Sequence, residues 1–176
     1  HNFYHDAPLE QVCRYVEDIM LWGYNGLLVW FDMHHYQGID DPAAQAMLAR
    51  LRTLLETARA LGMNAGLGVL ANEGYATTPE AIRAEWHAQN GYTGPLAAHY
   101  HVEVCPRKPG GMELLLRQFD EEFAQFASVG VDLLSIWPYD QGGCTCAACS
   151  PWGGNGFPYA AEQVAGAFRR RFPEGK

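Results

Sequence analysis

Ser135-Ile136-Trp137-Pro138-Tyr139-Asp140-Gln141-Gly142-Gly143-Cys144-Thr145-Cys146-Ala147-Ala148-Cys149-Ser150-Pro151-Trp152 is the stretch that decides the fold. An apolar strand, Val131 to Trp137, ends in an aromatic and an acid, Tyr139 and Asp140. Gly142 and Gly143 then release the backbone, and three cysteines follow at C-x-C-x-x-C spacing. A buried strand that carries an acid and then a thiol cluster to one edge of a sheet has the layout of an enzyme site beside a metal site.

The chain before this stretch alternates strands and helices. His1 to His5 reads as the end of a strand, and Asp6 and Pro8 open a helix with Leu9, Val12, Cys13, Val16, Ile19 and Met20 at helical spacing. Gly23 ends it. The continuous apolar run Gly26 to Phe31 predicts a strand buried on both faces, which delivers Asp32, His34 and His35. Asp41-Pro42 is a cap followed by proline at the first helical position, and Gly62 stops that helix. Met63 to Leu70 predicts a strand ending in Asn72-Glu73-Gly74-Tyr75. Thr78 to about His87 predicts a shorter helix. Tyr100 to Cys105 predicts a fourth strand with Glu103 inside it, followed by the rigid turn Pro106 to Gly110. A helix through Met112, Leu115, Leu116, Phe119, Phe123 and Phe126 leads to the strand quoted above, and Phe157 to Arg171 predicts a last helix.

Strand–helix alternation places the chain in the α/β class with a parallel sheet. An open doubly wound sheet and a (β/α)8 barrel both fit. No glycine fingerprint follows the first strand, and polar and aromatic residues gather after nearly every strand, as on the C-terminal face of a barrel. The expectation is a partial (β/α)8 TIM-type barrel of about five βα units, forming one domain over residues 1–176. A whole barrel typically takes about 250 residues. The terminal strands would therefore have open edges, covered by the remainder of a larger parent chain or by a homo-oligomer. The chain begins with His1 rather than Met, so the lack of a signal-peptide pattern leaves the compartment open.

Composition narrows the function classes. Hydrophobic residues make up 48% of the chain, and the net charge is −8, which argues against a nucleic-acid or anionic-membrane partner. No apolar run reaches the roughly 18 residues of a membrane span. The basic run Arg169-Arg170-Arg171 falls in the last turn of a helix, where it complements the helix dipole.

The rim of strand ends offers two carboxyls as catalytic candidates, Asp140 first and Glu73 second. One carboxyl to protonate a leaving oxygen, another to attack or activate water, and aromatics for stacking are the equipment of a glycoside hydrolase. With strands about 4.8 Å apart, two carboxyls two strands apart can flank a glycosidic bond. Asp32, His34, Asn72, Trp137, Tyr139 and Arg107 are the substrate-binding candidates, with Trp30 or Tyr75 as further sugar platforms. The bland reading of such acids is helix capping and loop solvation, and of the His34-His35 pair a hydrogen-bonded loop.

The five cysteines do not suit a closed disulfide framework. Cys13 falls on an apolar helix face. Cys144, Cys146 and Cys149 then form a metal-type cluster, with Cys105 or a histidine as fourth ligand; disulfides or free thiols are the alternatives. Four thiolates leave no open position, so the expected ion is a structural Zn2+, with no organic cofactor.

An early cysteine followed by C-x-C-x-x-C beside an acidic strand end resembles the zinc site of family 42 β-galactosidases. Those are (β/α)8 barrels with an Asn-Glu acid/base just before the cysteine loop. Here the strand end reads Pro138-Tyr139-Asp140-Gln141, and Asn72-Glu73 is the chain's one Asn-Glu pair, two predicted strands earlier. Asp140 to Cys149 and the turn Cys105-Pro106-Arg107-Lys108-Pro109 also resemble loops of uncharacterised barrels related to α-glucuronidases and family 20-type hexosaminidases. The resemblance implies a glycosidase barrel with Asp140 at or next to the sugar. Three functional expectations stand side by side. The first is a carbohydrate-active hydrolase using carboxylate acid/base chemistry on an oligosaccharide or glycoside. The second is a non-catalytic carbohydrate-binding or scaffold barrel stapled by zinc. The third is a metal-dependent hydrolase built on Asp32, His34 and His35.

Overall fold

A three-stranded parallel sheet, in the order β1 (Gly26–Trp30), β2 (Asn64–Leu70), β3 (Leu133–Trp137), carries the core in the computed structural model. The structure describes residues 3–86, 101–139 and 142–176. Helices α1 (Phe3–Asp6) and α2 (Leu9–Leu21) precede β1. Helix α3 (Pro42–Ala60) joins β1 to β2, α4 (Gly111–Gln125) leads into β3, and α5 (Gly156–Arg171) follows it. Each strand pairs with the next in sequence, which matches the winding of a barrel.

The register shows why one face is the core. Trp30 lies opposite Gly68, Gly66 opposite Leu133, Gly68 opposite Ser135 and Leu70 opposite Trp137. In-register residues of parallel strands share a face, so Leu28, Trp30, Gly66, Gly68, Leu133, Ser135 and Trp137 form one side. The other side presents Val29, Ala65, Leu67 and Val69, all buried against the helices together with Leu48, Leu51 and Leu55 of α3. At roughly 1.5–3 kcal/mol for each large aliphatic or aromatic side chain taken out of water, this side dominates the stability of the layer. The glycine-rich side is thinly covered, and Trp137 there is 48% exposed. Trp30 lies across Gly68 so closely that a Cβ at 68 would fall 2.3 Å from its ring.

Local signals explain the element ends. The Asp41 side chain accepts from the Ala43 N–H at 2.9 Å, with Pro42 opening α3. Gly23 and Gly62 end α2 and α3 with φ of +95° and +78°, a conformation that costs glycine little.

Several sequence expectations are corrected. Phe3–Asp6 is a short helix rather than a strand. β1 is not buried on both faces: it is an edge strand, and of Gly26–Trp30 only Val29 is fully buried. The stretch from Thr78 forms a single 3₁₀ turn, Glu80–Ile82, and residues 87–100 lie outside the described ones. Residues 101–105 are no strand of the sheet, because their backbone groups are used elsewhere. Val104 N–H bonds Asn72 C=O, Cys105 N–H bonds Ile82 C=O, and Ala84 N–H bonds Glu103 C=O. Val104 and Arg83 form an isolated antiparallel bridge. β2 therefore pairs directly with β3, and the described residues hold three strands rather than five. Beside β3, Lys176 N–H bonds Asp132 C=O and Leu134 N–H bonds Lys176 C=O.

Candidate functional site

The C-terminal strand ends and their loops make one rim, and among the described residues it carries two clusters of metal-type side chains. The larger is the thiol centre. The Sγ atoms of Cys105, Cys144, Cys146 and Cys149 all lie within 4.8 Å of one another. Cys105 is 3.8 Å from both Cys146 and Cys149. A tetrahedral ion with metal–sulfur bonds of about 2.3 Å requires sulfurs about 3.8 Å apart, so the cage has the right size. The same separation is far beyond the roughly 2.05 Å of a disulfide, and all five cysteines are free thiols. Hydrogen bonds from the Cys144 and Cys149 thiols, then the N–H groups of Arg107 and Lys108, favour the Cys105 thiolate and pull its pKa far down. The donor set therefore fits a closed metal site, and a histidine is not needed as fourth ligand. Cys13 is part-buried against the core and takes a hydrogen bond from Thr57 Oγ1 at 3.5 Å.

Trp152 closes this centre. It packs against the cysteines, lies over Gly143 and Gly156, and donates from Nε1 to the Pro138 carbonyl. A Cβ at 143 would fall 2.3 Å from the Trp152 ring and 2.4 Å from Asn72 Oδ1, so this position admits only glycine without repacking.

The second cluster lies at the ends of β1 and β2. One ligand atom each of Asp32, His34 and Glu73 falls within 4.8 Å of the others. His34 Nδ1 and Glu73 Oε1 are 2.9 Å apart, and the two side chains are 6% and 3% exposed. The 3₁₀ turn Met33–His35 folds the β1 end over Glu73. Burial first, then the negative field of Asp32, pushes the Glu73 carboxyl well above the usual carboxylate range; the His34 and Met33 N–H groups oppose this only in part. Burial likewise lowers the pKa of His34, so its imidazole is neutral at neutral pH. A carboxyl shifted toward its acid form, 2.9 Å from an imidazole nitrogen, can hold and hand on a proton. His35 is exposed and is not part of this cluster.

The other predicted residues fall around these two clusters. Asn72 is fully buried and faces the cysteine loop rather than open space. Trp137 meets Trp30 edge to face at 5.6 Å and donates from Nε1 to Ser135 Oγ, so an exposed Trp137 rests on a half-buried Trp30 on the glycine-rich side. Tyr139 is nearly buried and takes a φ of +70°, which reverses the chain just after β3. Arg107 is exposed, with its guanidinium 3.6 Å from the centre of the Tyr159 ring. Tyr75 is buried, so its ring is not a sugar platform. Glu103 is buried in the loop, its Oε2 accepting from the Val102 N–H at 3.1 Å. Asp140, with Gln141, lies outside the described residues. Because β2 and β3 are neighbours, Glu73 and the strand that leads to Asp140 are one strand apart rather than two.

Sequence reasoning missed Glu122. It sits on the buried face of α4, 0% exposed, with neither carboxyl oxygen hydrogen-bonded among the described residues. The signal was its place three residues beyond Phe119 on the apolar stripe. Burial, then the fields of Glu73 and Asp32, raise its pKa well above the usual range. Because the folded value lies above the unfolded one, the folded state keeps a proton that the unfolded chain releases. Stability is full below the ordinary glutamate value and is lost as pH rises through the folded value. Glu122→Gln is expected to remove this term, about 1.4 kcal/mol for each pH unit in that window. Urea unfolding at pH 5 and pH 8 checks it: the variant should gain on the parent at pH 8, and equal losses at both pH values would refute the assignment.

No family model matches the chain, and no curated protein matches its sequence. Solved structures do match its fold. The α-amylase of Geobacillus thermoleovorans, complexed with acarbose, has a TM-score of 0.58 at 12% identity, over 94% of this chain and 38% of its own. A GH5_18 protein of Streptomyces cattleya, in complex with GlcNAc, has a TM-score of 0.57 at 11% identity, over 98% and 39%. The Nostoc punctiforme debranching enzyme, soaked with acarbose, has a TM-score of 0.54 at 14% identity, over 93% and 38%. The chain spans about two fifths of the length of these structures. No helix among the described residues is long and apolar enough to cross a membrane. At such identities the likeness is one of fold alone: the chain is a partial TIM-type barrel.

Proposed function

We propose that this barrel segment belongs to a carbohydrate-active hydrolase that cleaves a glycosidic bond by carboxylate general acid/base chemistry. The observation that carries the reading is Glu73, a carboxyl at the end of β2 that burial shifts toward its protonated form, 2.9 Å from His34 Nδ1 and with the Asp32 carboxyl beside it. A proton donor to a leaving oxygen needs that state at neutral pH. Glu73 protonates the leaving oxygen, and Asp140, beyond the neighbouring strand β3, supplies the second carboxyl. Asp32 and His34 orient Glu73 and the sugar. Trp137 stacks on the sugar, Tyr139, buried like Tyr75, backs the turn after β3, and Arg107 borders the cleft. Asn72 holds the rim rather than the substrate. The four-thiol cage takes a structural zinc, supported by its size and its all-sulfur donor set. The open edges of β1 and β3 are covered by further strands of a parent chain or by a second copy.

The test is turnover of a panel of aryl glycosides by the protein that carries this barrel. Hydrolysis lost in Asp140→Asn with the fold intact supports the reading. Binding of sugars without any turnover sinks it in favour of a carbohydrate-binding barrel.

A second reading is favoured by one observation, the Asp32–His34–Glu73 cluster itself. Two carboxylates and an imidazole with open positions suit a catalytic divalent cation. Chelation that leaves the four-thiol ion in place separates the two: turnover persists if Glu73 is the acid, and disappears until cation is restored if it is a ligand.

A further inference from the structure

Two segments far apart in sequence bring the four cysteines together, and one buried side chain joins them. Asn72 Nδ2 donates to the Val104 carbonyl at 3.1 Å and to the Gly143 carbonyl at 3.0 Å. Those carbonyls belong to the residues immediately before Cys105 and Cys144. The Val104 N–H returns a bond to the Asn72 carbonyl at 2.9 Å. Both amide protons are used on backbone carbonyls, which fixes the orientation of the group: turned over, its oxygen would face two other oxygens. Asn72 is fully buried, and the next residue is Glu73.

We propose that Asn72 is a positioning residue that ties Glu73 to the thiolate centre, so that filling the four-cysteine cage holds the rim carboxyl in place. This rests on the proposed roles of Glu73 and of the cage. With an ion bound, Cys105 and Cys144 are fixed relative to one another, and the carbonyls before them become two rigid acceptors for one amide. Without it the 101–105 segment and the 142–149 loop part, the amide loses one acceptor or both, and the turn carrying Glu73 loosens. The side chain acts through Glu73 and touches no substrate itself.

Hydrogen–deuterium exchange tests the tether without any activity assay. Exchange over residues 70–76 is measured with zinc bound and after stripping by a chelator, in the parent protein and in Asn72→Leu, with zinc content counted in each; α3 serves as the internal control. In the parent, stripping is expected to speed exchange over 70–76 about tenfold or more while α3 stays protected. In Asn72→Leu the faster exchange appears with zinc still bound, and stripping adds nothing, the non-additivity expected of two groups acting through one link. Exchange over 70–76 that ignores zinc in the parent overturns the proposal, and this arm stands even if the variant does not fold. Effects of stripping and substitution that simply add also overturn it, since a local packing role would give that. A protein that binds no metal overturns both the tether and the staple. A protein that binds zinc and shows the coupling but hydrolyses no glycoside leaves the tether standing and removes only the hydrolase reading.

Discussion

Cys144→Ser with Cys146→Ser is expected to empty the thiol centre and to melt the rim around it. Two of four ligands are lost from a cage whose sulfurs already stand at the spacing a tetrahedral ion requires. Structural zinc binds with about 10–16 kcal/mol in small domains, comparable with the entire stability of a typical domain, about 5–15 kcal/mol. If only a third of that is coupled to this fold, about 3–5 kcal/mol, the midpoint falls by about 10 °C at two to four degrees per kcal/mol for a chain of this size. The loss should spread unevenly. Trp152 rests on the cysteines and bonds the Pro138 carbonyl, so β3's exit loop loosens first. The α3–sheet layer has its own apolar core in Leu48, Leu51, Leu55 and Leu67 and should outlast it. Metal analysis with a melt followed by Trp fluorescence and by far-UV dichroism checks this. A double variant that keeps one zinc per chain, or melts at the parent temperature, contradicts the staple.

The thiol centre was legible in the sequence because chelation by Cys144, Cys146 and Cys149 is nearly local, and spacing alone brings three thiols to one ion. Helix ends were legible for the same reason: the Asp41 cap and the turns at Gly23 and Gly62 need only neighbouring residues. What failed depended on partners distant in the chain. His101 to Cys105 has the alternation of a strand, but its backbone groups go to Asn72, Ile82 and Ala84 and not into the sheet. The same pairing takes the Ala84 N–H and ends the helix expected from Thr78 after one turn. The run Gly26 to Phe31 is apolar enough for a strand buried on both sides, yet only the register reveals that Trp30 lies over Gly68 on the thinly covered side. Asn72 looked like a rim polar group. Its role as a bridge depends on Val104 and Gly143, which lie 32 and 71 residues away. Glu73 was visible as an acid at a strand end, but its burial against His34 depends on the turn at 33–35.

Glu73→Gln is expected to lower turnover of unactivated glycosides by about 10²–10⁴-fold, the usual worth of a positioned general acid. The change is nearly isosteric, and glutamine's carbonyl can still accept from the backbone N–H groups of His34 and Met33, so fold and zinc content should hold. The pH dependence has a definite sign. Glu73 acts in its protonated form, so parent activity should fall on the alkaline side, as pH rises through a value that burial and Asp32 have pushed well above the usual carboxylate range. In Glu73→Gln that alkaline limb should vanish. Leaving-group chemistry then separates the two roles open to this carboxyl. A dinitrophenyl leaving group departs with little protonic help, so an enzyme that lacks only its acid should recover most of its rate on the activated substrate. An enzyme whose Glu73 holds a catalytic cation should lose the cation together with the side chain, and a better leaving group would not replace an unactivated water. Measured with 4-nitrophenyl and 2,4-dinitrophenyl glycosides of the same sugar, a defect that shrinks at least tenfold on the activated one assigns the proton to Glu73. A defect of equal size on both moves Glu73, with Asp32 and His34, to a metal centre.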